Sequence, residues 1–426
     1  MTAYREFAGA RPASETGLAG GGGLAGEGEP DERALFLLEL GLALSGYGAA
    51  SYRVEEALEL AARGLKTPAE FFVMPTSLFA SIGESDSQRV FLRRMEPGDP
   101  HLEKLALVDR VFNEVGDGEL GVHEGRERLR QIATMRERYP VWMIALCFVV
   151  IGGGAGVFLG GGWREAASSA VVSFVVGLLV LIGGRTSRWR RLTDFLAGFV
   201  SAVLVGVGAR YVWPLDVPVV LLAGLIALVP GLTLTLAMGE LSMKHLVSGS
   251  TRLIGALMIF VAIGFGVGFG SAVSSALGAE SGVAVPVPGW VTPITLAVST
   301  VAVGVFFRAR PQDFLAVLAG TVSAFYGARL GGLVLDPRLG VFVGAFALGV
   351  VANGYARLRD RPSAIVSLPG MLLLVPGGLG LRGFTELMGH DALGGVETVT
   401  AVTIVGAGLV TGLLMASAVV PPRKVL

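Results

Sequence analysis

After Pro140 the chain alternates between long apolar runs and short polar connections. A helix needs about 20 predominantly apolar residues to cross a bilayer, and this pattern predicts ten such helices. The predicted spans cover residues 141–163, 166–184, 194–211, 216–239, 253–276, 290–307, 312–330, 338–356, 363–381 and 398–420. The third and seventh are shorter between charges, but charged side chains at span ends can extend to the headgroup region.

Residues 31–139 show the shorter periods that are typical of a water-soluble domain. Amphipathic stripes predict helices in SYRVEEALELAARGL and HLEKLALVDRVFNEV, whereas FFVMPT, LFASIG and QRVFLRRM predict three short strands. Residues 1–30 are rich in Gly, Ala and Glu and predict a disordered tail, because they cannot bury a core. The domains are therefore a tail (1–30), an α/β domain (31–139) and two membrane halves (140–280 and 281–426).

Two predicted spans contain the same interruption, LVPG, at residues 228–231 and 374–377. Proline removes a backbone donor and clashes with the preceding helical turn. A glutamate follows each proline by ten residues, at Glu240 and Glu386. This spacing matches spans 1–5 with spans 6–10, and because five is odd, the two halves have opposite orientations. The prediction is a 5+5 inverted repeat, an architecture of many secondary transporters.

A second internal match pairs DFLA and GAR at residues 194–210 with the same letters at 313–329. It would align span 3 with span 7 and leave one helix unmatched, so it ranks below the LVPG match.

Helices interrupted at corresponding places in two halves indicate a transport site, because free backbone at membrane depth needs protein or a water-filled cavity. Amides at a new helix start can hold a carboxylate, and nearby hydroxyls can add hydrogen bonds. The predicted substrate-binding residues are Pro230, Gly231, Thr233, Thr235, Pro376, Gly377 and Asn353. Two alternatives stay open: the prolines only shape packing, and Asn353 hydrogen-bonds a neighbouring helix.

Carboxylates at membrane depth cost roughly 2.5–3.5 kcal/mol on insertion scales, which makes them functional candidates. The predicted proton-coupling residues are Glu240, Glu386, Asp194 and Asp313. The alternative is that each lies at a span end, wetted by headgroups or paired with a loop arginine. That alternative is favoured for the two aspartates and weighs equally for the two glutamates.

Composition supports the membrane assignment: 52% of residues are hydrophobic and 16% are charged, against about 25% charged in soluble proteins. The connections on one side hold thirteen Lys/Arg and those on the other hold five. The excess predicts a plasma-membrane protein with both termini cytoplasmic. Net charge is zero, so no nucleic-acid partner is expected.

No enzyme chemistry is expected from residues 31–139, which hold two histidines, no cysteine and no glycine-rich phosphate loop. Cys147 is the one cysteine, so an internal disulfide and a multi-cysteine zinc site are excluded. His245 and His390 have no other histidine nearby, and no metal or cofactor is predicted.

The chain resembles the bacterial threonine/serine exporter family. The resemblance rests on GYGAASYRVEEAL and FFVMPTSLFASI in the soluble part, LVPGLTLTLAMGELSMKHLVSGSTRL in the first membrane half and LPGMLLLVPGGLGLRGF in the second. Residues similar to the family's cytoplasmic motif are Arg53, Val54, Glu55, Pro75 and Thr76. The resemblance implies export of threonine and serine driven by the proton gradient. In some relatives the two membrane halves are separate chains, and the resemblance to these implies succinate export. The LRGF sequence after the second LVPG departs from the aromatic-rich version that the family resemblance leads one to expect.

The sequence thus predicts a secondary active transporter that exports threonine and serine by alternating access between its two halves. The expected partners are this small-molecule substrate, protons and the lipid bilayer, with a homo-oligomer as an open alternative. Two other functions remain: a dicarboxylate (succinate-type) exporter, and a non-transporting membrane scaffold or sensor.

Overall fold

The computed structural model describes residues 31–84, 86, 88–95, 98–184, 187–275, 282–374 and 392–421. These residues divide into two compact units, one with residues 31–137 and 360–362 and the other with 138–359 and 363–421. The predicted tail lies outside the described residues.

The first unit contains helices and an antiparallel sheet with the strand order β1-β2-β3. Its elements are α1 (Glu32–Gly46), α2 (Ser51–Gly64), β1 (Ala69–Met74), β2 (Ser77–Ile82), β3 (Arg89–Arg94), α3 (Leu102–Gly116) and α4 (Val122–Thr134). The three predicted strands are present, but β1 ends at Met74. Pro75 and Thr76 form the turn that joins β1 to β2, because proline cannot donate a ladder hydrogen bond.

Helix α1 is apolar around most of its circumference because it packs on α2, α3, α4 and β2. Its one buried charge, Glu39, is 2% exposed and accepts hydrogen bonds from two arginines of α4. Arg126 Nη2 lies 3.1 Å and Arg130 Nη2 lies 2.9 Å from Glu39 Oε1. The pair of arginines compensates the desolvation of the carboxylate and joins α1 to α4.

The second unit is helical throughout its described part. Its helices are α5 (Val141–Phe158), α6 (Trp163–Gly183), α7 (Ser187–Arg190), α8 (Thr193–Tyr211), α9 (Val217–Leu225), α10 (Gly231–Ser242), α11 (Leu246–Ser275), α12 (Val291–Phe306), α13 (Phe314–Val334), α14 (Pro337–Arg359), α15 (Ala364–Leu374) and α16 (Ala392–Val419). A 3₁₀ turn, Pro311–Asp313, precedes α13.

Seven helical segments of the described residues are long and apolar enough to cross a membrane, as expected for a polytopic helical membrane protein. They lie in α5, α6, α8, α11, α13 with its preceding 3₁₀ turn, α14 and α16. The other three predicted spans differ. The fourth is divided into α9 and α10, the sixth is the 16-residue α12, and the ninth has 11 described residues in α15. The count of ten spans therefore stays a prediction.

Packing within the second unit follows the same scheme in two sets of helices. In the first set α5 contacts α6, α6 contacts α8 and α9, and α8 contacts α9 and α11. In the second set α12 contacts α13, α13 contacts α14 and α15, and α14 contacts α15 and α16. Helix α5 also contacts α12, where Gly154 allows a close approach: a β-carbon there would collide with Ser299 Oγ.

Candidate functional site

The predicted interruption of the fourth span is present in the structure. Helix α9 ends at Leu225, residues 226–230 form turns, and α10 begins at Gly231. The turn backbone is partly satisfied, since Leu228 N–H donates to Leu225 O at 2.9 Å and Gly231 N–H donates to Val229 O at 2.7 Å. Proline 230 has φ −76° and ψ 45°, outside helical geometry, so the helical ladder stops there.

One side of the interruption packs against buried apolar side chains. Leu225 and Val229 are buried in a cluster with Val176, Ala202 and Ile263 from three other helices. This packing holds both helix ends in place while the backbone between them is non-helical.

The first two turns of α10 contain polar groups. Its N-cap, Pro230, provides no side-chain hydrogen bond, and the first amides of a helix have no intrahelical acceptor. One turn further, Thr235 is 4% exposed and its Oγ1 has no hydrogen-bond partner among the described residues. Thr233 is half-buried on the same helix. A buried hydroxyl without a partner costs free energy, so Thr235 is a candidate for binding a polar cargo group.

Asn353 lies in α14 and is 4% exposed. Its Nδ2 donates to Val420 O at 2.9 Å and approaches Ser417 Oγ at 3.4 Å. These contacts are the helix–helix hydrogen bonds considered as the alternative for this residue. Its role in substrate binding stays a prediction.

Glu240 forms an ion pair with Arg252. Arg252 Nε donates to Glu240 Oε1 at 3.0 Å, with Glu240 completely buried and the Arg252 side chain 15% exposed. The pair joins α10 to α11 around the turn at residues 243–245, where Lys244 has a φ of 66°. This contact corresponds to the alternative considered for Glu240, a carboxylate paired with an arginine of the adjoining connection, although Arg252 itself lies in α11.

The two predicted aspartates have different surroundings. Asp313 is 3% exposed, and its Oδ1 accepts a hydrogen bond of 2.7 Å from the Tyr355 hydroxyl of α14. Asp194 is half-buried in the first turn of α8. Both remain candidates for proton coupling, and Tyr355 is a partner that no sequence pattern indicated.

The second LVPG motif lies largely outside the described residues. Pro376, Gly377 and Glu386 lie outside the described residues, which end before the interruption at Leu374 and resume at Ala392.

A buried carboxylate that sequence reasoning missed is Glu165, at the start of α6. It is 3% exposed, and its oxygens accept hydrogen bonds from Gly162 N–H at 2.9 Å and Asp216 N–H at 3.3 Å. Glutamate at the third position of a helix is typical of a capping box, so a sequence signal existed. The contact with Asp216, just before α9, could not be read from it.

The motif that includes Arg53, Glu55, Pro75 and Thr76 makes structural contacts in the first unit. Glu55 Oε1 of α2 accepts a hydrogen bond of 2.7 Å from Val73 N–H, which joins α2 to the edge strand β1. Arg53 lies over the Tyr52 ring at 5.8 Å. The structure thus brings Glu55 to the sheet while Pro75 and Thr76 form the adjacent turn.

Another polar cluster lies where the first unit ends. Glu137 binds His101 Nε2 at 3.1 Å and Lys104 Nζ at 3.4 Å, and both of these side chains are almost completely buried. Burial, with a smaller contribution from Glu137, raises the pKa of Tyr47 to about 12. No group of His, Cys, Asp or Glu suited to a metal ion occurs among the described residues.

Helices of this length and composition, with one divided beside buried polar groups, define a polytopic helical membrane protein. Family models identify it further. A model described as "Putative threonine/serine exporter" matches residues 35–274, and one described as "Threonine/Serine exporter, ThrE" matches residues 293–419. The chain belongs to the threonine/serine exporter family.

Curated relatives come from fungi. An uncharacterized protein of Schizosaccharomyces pombe is 26% identical over 83% of this chain and 44% of its own length. Proteins named pheromone-regulated membrane protein 10 are 25% identical in Yarrowia lipolytica, over 83% of this chain and 30% of theirs, and 24% identical in Saccharomyces cerevisiae strain YJM789, over 82% and 46%. The chain spans less than half the length of each of these relatives. No solved structure matches the chain.

Proposed function

We propose that the protein is a secondary active transporter that exports threonine and serine, coupled to protons, by alternating access between two membrane halves. The observation that carries this proposal is the helix interruption at residues 226–230. It is followed by the buried, unpartnered hydroxyl of Thr235. Non-helical backbone at membrane depth is tolerated where it lines a cavity or is covered by protein.

The packing scheme supports the proposed inverted repeat. Five helix pairs contact each other in the first set, and the five pairs at equivalent positions contact each other in the second. Small or hydroxyl residues lie at both helix contacts: a β-carbon on Gly152 of α5 would collide with Ser173 of α6, and Thr300 Oγ1 of α12 lies 2.8 Å from Thr321 Oγ1 of α13.

For proton coupling we propose a carboxylate among Glu240, Glu386, Asp194 and Asp313. Glu240 carries an arginine partner in the first half, whereas the residue twelve positions after Glu386 is Thr398. This difference makes Glu386→Gln the cleaner variant to test, because Glu240→Gln would also break the ion pair with Arg252.

The test is transport by the purified full-length chain in liposomes. We expect labelled threonine or serine to move when a pH gradient is imposed, and the movement to weaken when Glu386 is changed to Gln. Pro230→Ala should slow transport by restoring a continuous helix between α9 and α10. Succinate movement in place of amino-acid movement would assign the dicarboxylate function instead. Absence of any gradient-dependent movement would reject the transporter proposal.

We further propose that both termini lie on the cytoplasmic side of the plasma membrane. Lys244 and Tyr211 are exposed and lie on opposite sides of the membrane in this topology. A cysteine at position 244 should react with an impermeant reagent only from the inside, and a cysteine at position 211 only from the outside. Labelling of both from one side would contradict this orientation.

A further inference from the structure

The Glu240–Arg252 ion pair has a buried carboxylate and leaves guanidinium donors unused, which a contact between two helices does not require. The carboxylate has no exposed surface, and the guanidinium is bonded to it through Nε alone, at 3.0 Å. The two Nη groups of Arg252 have no hydrogen-bond partner among the described residues. Arginine presents its donors as a planar fork that fits a carboxylate bidentately. In this arrangement, most of the fork is available for another acceptor.

Stability alone is a poor reason for such a pair. Desolvating two charges often costs as much free energy as their attraction returns, and apolar residues of similar volume can stabilise a protein as well or better. A buried ion pair between neighbouring helices is therefore a candidate for a functional role.

We propose that Glu240 and Arg252 recognise the charged ends of an α-amino acid: the cargo carboxylate binds the Arg252 fork, and the cargo ammonium binds Glu240. This inference rests on the proposed transport function and names its substrate class as a zwitterion. A zwitterion brings one charge of each sign, so it replaces both partners of the pair. A dicarboxylate neutralises Arg252 but places a second negative charge near Glu240, where it is repelled.

The closed pair also explains how the protein exists without cargo. If Glu240 and Arg252 stood apart in an empty site, the attraction between their two charges would be lost while both remained desolvated. With the pair closed, the empty site is electrically neutral. Cargo and closed pair are then alternative partners of the same two groups, and the described state is the closed one.

Glu240 of the pair lies on the helix that begins at the interruption. Glu240 follows Gly231 by nine residues on α10, or about 13 Å at the rise of an α-helix. Thr233 lies seven residues before Glu240, so both residues occupy one face of α10.

The experiment measures competition against labelled threonine transport by the full-length chain in liposomes. The unlabelled competitors are threonine, threoninamide, which lacks the carboxylate, 3-hydroxybutyrate, which lacks the ammonium, and succinate. For the unchanged chain, each analogue should compete at least about tenfold more weakly than threonine, since a hydrogen-bonded charge contributes about 1.5–3 kcal/mol.

The variants separate recognition from helix attachment. Arg252→Gln should bring threonine and threoninamide to nearly equal potency, whereas Glu240→Gln should do the same for threonine and 3-hydroxybutyrate. Lys244→Gln is the matched control, because it removes an exposed positive charge from the adjoining turn without touching the pair, and both ratios should persist. If Arg252→Gln does not fold, Arg252→Lys decides, since an ammonium lacks the fork and the threonine-to-threoninamide ratio should fall several-fold.

Folded Glu240→Gln and Arg252→Gln variants that keep both ratios would overturn the inference and leave the pair as a helix attachment, with the transport proposal intact. Equal competition by succinate and threonine in the unchanged chain would overturn it as well. If the unchanged chain moves neither threonine nor serine, the proposed function itself fails.

Discussion

The hydroxyl of Thr235 provides the sharpest test of the interrupted helix, through the substitution Thr235→Val. Valine has nearly the same shape but no hydroxyl. Because Thr235 is 4% exposed and its Oγ1 has no partner among the described residues, burying this hydroxyl costs about 1–3 kcal/mol. The variant should therefore be as stable as the unchanged chain or more stable. A gain of 1 kcal/mol raises the unfolding temperature by about 2–4 °C in domains of 150–250 residues.

Transport should change in the opposite direction. If the hydroxyl binds cargo, its loss removes a hydrogen bond of about 0.5–1.5 kcal/mol, a two- to thirteenfold loss of threonine affinity. Thermal unfolding of the full-length chain in detergent and threonine transport in liposomes measure the two effects. Their opposite signs distinguish a cargo contact from a packing contact.

The same substitution at Thr321 is the control. Thr321 is completely buried, but its Oγ1 lies 2.8 Å from Thr300 Oγ1 and donates to Val317 O at 3.0 Å. Thr321→Val should therefore lower stability, by about 0.5–1.5 kcal/mol for a lost hydrogen bond. If Thr235→Val destabilises the chain as Thr321→Val does, and threonine transport is unchanged, the reasoning about Thr235 is wrong.

Three further predictions concern packing and charge. Gly154→Ala should lower the unfolding temperature because the new β-carbon would collide with α12. Gly255→Ala, which has open space at that position, should raise the unfolding temperature slightly because alanine reduces the backbone freedom of the unfolded chain. A similar effect of both substitutions would contradict this packing. Glu39→Gln should lower the stability of the first unit by about 3 kcal/mol, measured by denaturant unfolding, because two arginines lose a buried ionic partner; a neutral effect would mean that water replaces the carboxylate. Hydrogen bonding to Glu32 raises the pKa of His123 above 6.5. The unchanged chain should therefore be more stable than His123→Ala below pH 6.5, and this difference in stability should disappear as the pH rises through the raised pKa. A difference in stability that persists at high pH would exclude this cause.

Much of the candidate site was predictable from spacing along the chain. The LVPG motif predicted the interruption at Pro230, because proline disrupts the helical turn that precedes it. The glutamate ten residues after this proline was predicted as a charge within the span, at Glu240. The partners of the predicted residues were not predictable. Arg252 is twelve residues from Glu240, and Tyr355 is 42 residues from Asp313. Such contacts depend on how separate helices pack, and no local period encodes them.

The first unit shows the same division. Alternating side chains predicted the three strands, whose buried face includes Val73, Leu78 and Ala80. No local pattern indicated that Glu39, in an apolar helix, meets Arg126 and Arg130 about 90 residues later. The requirement that a buried carboxylate be paired was clear from physical chemistry, but the identity of the partner was not.

The sequence by itself determined that this is a helical membrane protein of the threonine/serine exporter family, and where one of its helices is interrupted. These properties depend on residues that are close together in the sequence, since hydrophobicity, helix period and proline geometry act over short stretches of chain. Only the tertiary structure decided which charges and hydroxyls are paired. Partners such as Glu240 and Arg252 meet because separate helices bury their apolar faces against each other, and that packing brings distant residues within hydrogen-bond distance.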